Sequence, residues 1–151
     1  MRVTFEFYGE EQAKRQILRP AEKAQDLRPI WPRVFKELTD IEREQFGTEG
    51  GRSGRPWQEL AEATTEKKSG DQILVESGAL FRSWTRKSHG GGAIRRMRKN
   101  DMEFSGRGYG IHHQRGHGAL PVRKVVDLVE RDKNQLVKIM QAYIFRGIIL
   151  K

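Results

Sequence analysis

The chain has no cysteine among its 151 residues, which excludes a disulfide framework and a thiolate metal site. It has no apolar run near the roughly 18 residues of a membrane span. The opening MRVTFEFYGE lacks an apolar h-region, so no signal peptide is expected and the sequence reads as a soluble protein made in the cytosol, with no membrane partner. Apolar residues make up only 36% of the chain and mean hydropathy is −0.76. The private core should be modest for the length, which suits a subunit that finishes its burial in an oligomer. Acids are scarce in one place. Between Ser77 and Lys124 there are two, Asp101 and Glu103, against eleven Lys/Arg. The remainder is balanced, eighteen against eighteen, so this segment carries the whole net charge of +9. A localised basic surface suits a polyanion or an acidic protein surface, or is simply a solvated face.

What is present centres on Ile73 to Trp84, ILVESGALFRSW. An apolar triplet, a polar break and a second apolar group follow one another. Ser77 is placed to cap a short helix opening at Gly78 or Ala79, with Leu80, Phe81 and Trp84 on one face. Upstream, Val3, Phe5 and Phe7 alternate with polar residues and predict a half-buried strand. A helical pattern runs from Glu10 with Ala13, Ile17, Leu18, Ala21 and Ala24 on one side, and Pro20 should kink or divide it. Asp26 is placed to cap a second helix with Pro29 in its first turn. Trp31, Val34, Phe35, Leu38, Ile41, Gln45 and Phe46 form its buried stripe, ending at Gly47. Residues 47–56, GTEGGRSGRP, read as a flexible loop. Trp57, Leu60 and Ala61 suggest a short helix docked by its tryptophan.

Downstream, residues 88–92, SHGGG, read as a flexible connector. Residues 93–99 and 102–105 flank Asn100-Asp101 as a β-hairpin, neither face of which is cleanly apolar. Asp132, three residues before Gln135, suggests the start of a final helix. Its stripe is Leu136, Met140, Tyr143 and Ile144, with Val137 and Ile139 beside it. The apolar Ile148 to Leu150 reads as a last strand or an interface anchor. The expected architecture is a single α+β domain over 1–151. An N-terminal strand and amphipathic helices pack on a small, mostly antiparallel sheet, with a helix at the C-terminal end.

Candidate chemistry is sparse. His113 and His117 stand at i, i+4, as a helical metal pair would. Gly116, Gly118 and Arg115 argue against one, and no acid is nearby in sequence. A His-dependent nuclease around His112, His113 and His117 is therefore a minor reading. The glycine-rich runs lack the phosphate-cradling GxxxxGK[ST] pattern. Arg95, Arg96, Arg98, Lys99, Arg107 and Arg115 are candidates for an interface or for contact with phosphates. No recognition helix or zinc-finger spacing accompanies them, so any nucleic-acid contact is expected to be nonspecific. A stand-alone nucleic-acid-binding protein using the basic 77–124 region is the alternative this supports.

A set of short motifs in fixed order carries a resemblance. Gln45-Phe46 ends an amphipathic helix, and a glycine-rich loop and Trp57 with Leu60 follow. Thr64/Thr65 and Lys67/Lys68 precede Ile73-Leu74 and Ser77-Gly78-x-Leu80. Then come Tyr109-Gly110-x-His112-His113-Gln114-x-Gly116 and Leu120-Pro121-x-Arg123, ahead of an Asp that opens the last helix. In this order, over about Ala24 to Tyr143, the chain resembles the phage virion morphogenesis family, to which the Mu-type tail-completion protein belongs. It departs where the family often has Ala and this chain has Gly110, and where Lys124-Val125 replaces a proline or aromatic. The resemblance implies a non-enzymatic structural virion protein without a cofactor, with an α+β fold. It implies a ring, as a hexamer, at the head–tail junction or head-proximal end of the tail. Its partners there would be head-connector (portal-side) and tail-tube proteins, with nonspecific contact to DNA in the channel.

Overall fold

The fold is arranged along one helix. In the computed structural model, which describes residues 10–86 and 95–146, α2 spans Trp31–Gly47. Its 17 residues extend about 25 Å at 1.5 Å per residue. Its stripe buries Trp31, Val34, Phe35, Ile41, Gln45 and Phe46, as the 3–4 spacing requires, and adds Thr39 and Glu42. Before it lies α1 (Glu10–Ala24) and after it α3 (Glu62–Thr65) and α4 (Ala79–Thr85). A two-stranded antiparallel sheet pairs β1 (Arg95–Met97) with β2 (Met102–Phe104), Met97 facing Met102. α5 (Gly110–Arg115) and α6 (Glu130–Gln141) complete the order, and α6 runs on into a wider turn over Ala142–Arg146. The fold is thus a small α+β arrangement with a C-terminal helix. The strand expected at Val3–Phe7, the connector at 88–92 and the segment Ile148–Leu150 lie outside the described residues.

Two apolar clusters form at opposite ends of α2. At its start, Leu27, Ile30, Trp31 and Val34 bury against Ile139 of α6, with Met102, Leu136, Met140, Tyr143 and Ile144 packed around them. At its end, Phe46 meets Trp57, Ile73, Leu80 and Val125, flanked by Leu60, Leu74, Phe81 and Trp84. The Phe46 ring stands edge-on to Trp57 and to Phe81, each 5.4 Å away. Phe104 on β2 spans the interval, 5.7 Å from Phe35 and 5.4 Å from Trp84. Each fully buried large apolar side chain stabilises by about 1.5–3 kcal/mol.

Several local expectations are corrected. α1 runs uninterrupted through Pro20; the missing donor costs one bond to the carbonyl of exposed Gln16. Asp26 does not cap α2. Its carboxylate accepts from the Arg28 N–H (3.1 Å) and Nε (2.8 Å), which holds its pKa down at about 2. Ile30 flanks α2 instead, with Pro32 in the first turn. Trp57 docks from a loop, and the short helix comes later, as α3. Asp132 lies inside the first turn of α6, where it accepts from the Val129 N–H at 2.9 Å. Ile139 is the centre of the α6 stripe, while Val137 is 48% exposed.

The 47–56 loop contains a fixed anchor. Gly51–Ser53 form a 3-10 turn, and the Arg52 side chain is 1% exposed. Its guanidinium donates to Asp132 Oδ1 (2.6 Å), to Glu44 Oε2 (3.1 Å) and to the Asp127 carbonyl (3.1 Å). One buried cation thereby ties this loop to both α2 and α6.

Candidate functional site

Ser77 to Leu80 form the entry to α4. Ser77 Oγ accepts from the Ala79 N–H at 3.3 Å, as its placement predicts, while Gly78 occupies the flanking position in left-handed conformation, φ 68°. Leu80 turns into the second apolar cluster. Ile73 N–H donates to Glu49 Oε1 (2.6 Å), fixing the stretch to the end of α2. Leu74 is held at φ 60°, a strained conformation for a branched side chain.

Opposite this entry runs an extended strap, residues 121–126, held largely by side chains. The Lys124 carbonyl accepts from Gln45 Nε2 (2.7 Å) and from the Trp57 indole N–H (2.9 Å). Gln114 reads Val126 twice: its Nε2 donates to the Val126 carbonyl (2.8 Å) and its Oε1 accepts the Val126 N–H (3.0 Å). A primary amide thus does the work of a neighbouring strand. Arg123 N–H donates to the His113 carbonyl (2.8 Å). The buried Arg123 guanidinium donates from Nε to the Gln58 carbonyl (2.9 Å) and from Nη2 to the Glu59 carbonyl (3.0 Å). Gly116, at φ 74°, ends α5 where a Cβ would lie 3.2 Å from both the Leu120 carbonyl oxygen and Val122 Cγ2. Only glycine fits there without strain.

Between entry and strap lies an open groove of about 1080 Å³. Leu60, Leu74, Leu80, Leu120 and Pro121 give it apolar surface, and Ser77, Gly78, Tyr109, His113 and Arg123 line it as well. Glu59, Glu76, Lys67 and Lys68 stand along it. His113 Nδ1 is buried without a partner. Burial, then the Arg123 charge, then His112, keep the His113 pKa below the usual imidazole value, so the ring is neutral at pH 7.

The motif residues therefore converge. Ser77, Gly78, Leu80, Tyr109, His113, Pro121 and Arg123 line one groove, and Trp57, Gln114 and Gly116 brace its wall. The basic candidates lie elsewhere. Arg96, Arg98 and Lys99 are exposed on the hairpin. Its backbone is clamped to the start of α2, with Trp31 Nε1 donating to the Arg98 carbonyl (2.6 Å) and Leu27 N–H to that of Lys99 (2.7 Å). Arg96 faces Glu103 loosely, at 3.8 Å. Arg95 begins β1. Arg107 is exposed, its N–H donating to Ser83 Oγ (3.1 Å), and Arg115 is exposed at the end of α5. Neither lines the groove.

His113 and His117 do not share a helix, because α5 stops at Arg115. His117 instead sets its ring 4.9 Å from that of His112. Among the described residues, no group of three or more His, Asp or Glu side chains is gathered to hold a metal ion. Nor is any helix among them long and apolar enough to cross a membrane.

Sequence reading missed Glu42, Arg52 and the bracing role of Gln45. Glu42 falls at i+4 from Leu38 and i−4 from Phe46, inside the apolar stripe, and that spacing was the available signal. Arg52 offered none, since an arginine among glycines has no period. Comparison with protein-family models, with curated proteins and with solved structures gives no match to this chain.

Proposed function

We propose that the chain is a non-enzymatic structural protein of a tailed-phage virion, which completes the tail and joins it to the head connector as a ring at the head–tail junction. The observation that supports this reading is the convergence of motif residues from four separate stretches on one groove and its wall. The modest apolar content and the exposed apolar side chains suit a subunit that buries more surface on assembly. Disrupting the gene in its phage or prophage is expected to leave unjoined heads and tails, visible by negative-stain microscopy. Normal joined virions would overturn the proposal.

A second reading rests on the hairpin. With its backbone clamped to α2, it presents Arg96, Arg98 and Lys99 to solvent, which favours nonspecific contact with a nucleic acid backbone. Duplex DNA binding is then expected to weaken steeply with salt. Replacing the three cations by alanine should lower the log–log salt slope by about 0.9 for each phosphate left without its cation. Anisotropy titrations over a salt series measure this, and undetectable binding at low salt removes the reading.

A further inference from the structure

Arg123 is a buried cation without a counter-ion. It is 5% exposed, and no carboxylate among the described residues pairs with it. Burial pushes its pKa down, and no neighbouring acid pushes it back. A buried charge in that state is costly. Arg52 differs, since Asp132 and Glu44 both answer its charge. A guanidinium carries five N–H donors. In Arg123, Nε donates to the Gln58 carbonyl and Nη2 to the Glu59 carbonyl, both neutral acceptors. Nη1 donates to no described residue and is not closed off from solvent. Because Arg123 lines the groove, this free edge opens into it.

The surroundings suit a single negative charge. The charged side chains of the groove are Lys67, Lys68 and Arg123 against Glu59 and Glu76. Three cations and two carboxylates leave a net of +1. A dianion would be repelled by both glutamates with only that small excess to hold it. Ser77 and Tyr109 line the groove as well, and neither hydroxyl donates to a described residue. Leu60, Leu74, Leu120 and Pro121 supply apolar surface, Leu120 being 44% exposed.

We propose that the groove binds a carboxylate carried on an apolar body, with the carboxylate on the free edge of Arg123 and the apolar part among the leucines. A guanidinium edge matches the two oxygens of a carboxylate. A free organic acid and the end of a peptide chain present this same chemistry. Nothing in the site depends on the virion reading.

Sodium octanoate probes the site in the full wild-type chain, with octanamide as its uncharged counterpart. Both are titrated into the millimolar range and followed by NMR at the Arg123 Nε–H and the backbone amides lining the groove. Octanoate is expected to bind saturably and shift the Arg123 Nε–H, and octanamide to bind about tenfold more weakly. Arg123→Met would also lose the two carbonyl bonds, so the charge is tested from the other side. Glu59→Gln with Glu76→Gln, both exposed positions, should tighten octanoate binding by about twofold to fivefold and leave octanamide unchanged. Equal affinity for acid and amide overturns the proposal, as does the absence of binding by either. So do shifts centred on the hairpin cations Arg96, Arg98 and Lys99, which mark nonspecific ion pairing. Octyl phosphate binding more tightly than octanoate overturns the choice of a carboxylate. A short peptide ending in leucine separates the two sources. Binding tighter than that of octanoate, and lost on amidating its end, supports a chain end; weaker binding supports a free acid.

Discussion

Glu42 shows how much one residue decides. It is 1% exposed on α2, and its Oε2 has no hydrogen-bond partner. Burial drives its pKa up to about 8, with Arg52 opposing and the Asp132 charge adding to the rise. At pH 7 the folded protein therefore holds a proton that the unfolded chain, titrating near the ordinary value of 4.5, has released. The contribution to stability is greatest below pH 4.5, declines as pH rises through 8, and is level above that. Glu42→Gln keeps the shape without the ionisation. It should raise the melting temperature at pH 9 by several degrees, a gain of about 1–3 kcal/mol, and have little effect at pH 4.5. Melting curves across pH decide this; an equal shift at both pH values would contradict it. Arg52 is the opposite case, a buried cation with all its partners in place. Arg52→Ala takes from buried Asp132 its close cation, leaving it the Val129 N–H, and unties the 47–56 loop from α6. It should cost about 3–5 kcal/mol in denaturant unfolding and open that loop to proteolysis.

At the scale of elements, the periodic ones were legible and the strap was not. α2 and α6 repeat apolar residues near every 3.6, because each packs one face on a core, while the hairpin was legible from the Asn100-Asp101 turn between its strands. The strap over 121–126 has no period, since its partners are Gln45, Trp57 and Gln114, between 12 and 79 residues away. Local reading also misassigned two caps. Asp26 and Asp132 both look like residues that precede a helix. Arg28 takes the first, and the second serves from within the first turn while also holding Arg52. The motif positions were legible one by one, but that they line a common groove is a property of the fold. Gln114→Leu tests the strap, because it leaves both polar groups of Val126 without their partner. A loss of about 2 kcal/mol is expected, with faster amide exchange at Val126 and unchanged protection in the middle of α2. Uniform loss of protection along the chain would mean that the strap is not a separable element.

At the scale of the whole molecule, the helix that joins the two apolar clusters also carries a tryptophan into the first of them. Trp31 is buried in that cluster, and Trp57 and Trp84 belong to the other. Phe104 lies between, against Phe35 on one side and Trp84 on the other. Variants that keep only Trp31 or only Trp57, the other indoles replaced by phenylalanine, make each half of the chain separately visible by fluorescence. Their unfolding curves should coincide while Phe104 is present. In Phe104→Ala, which removes a half-buried ring worth about 1–3 kcal/mol from the junction, the two curves should part, the half with the weaker packing melting first. Curves already apart with Phe104 intact would show that this ring does not couple the halves. If they part only when it is gone, the cooperativity of the protein depends on one phenyl ring, and the indoles of Trp31 and Trp57 report where that cooperativity fails.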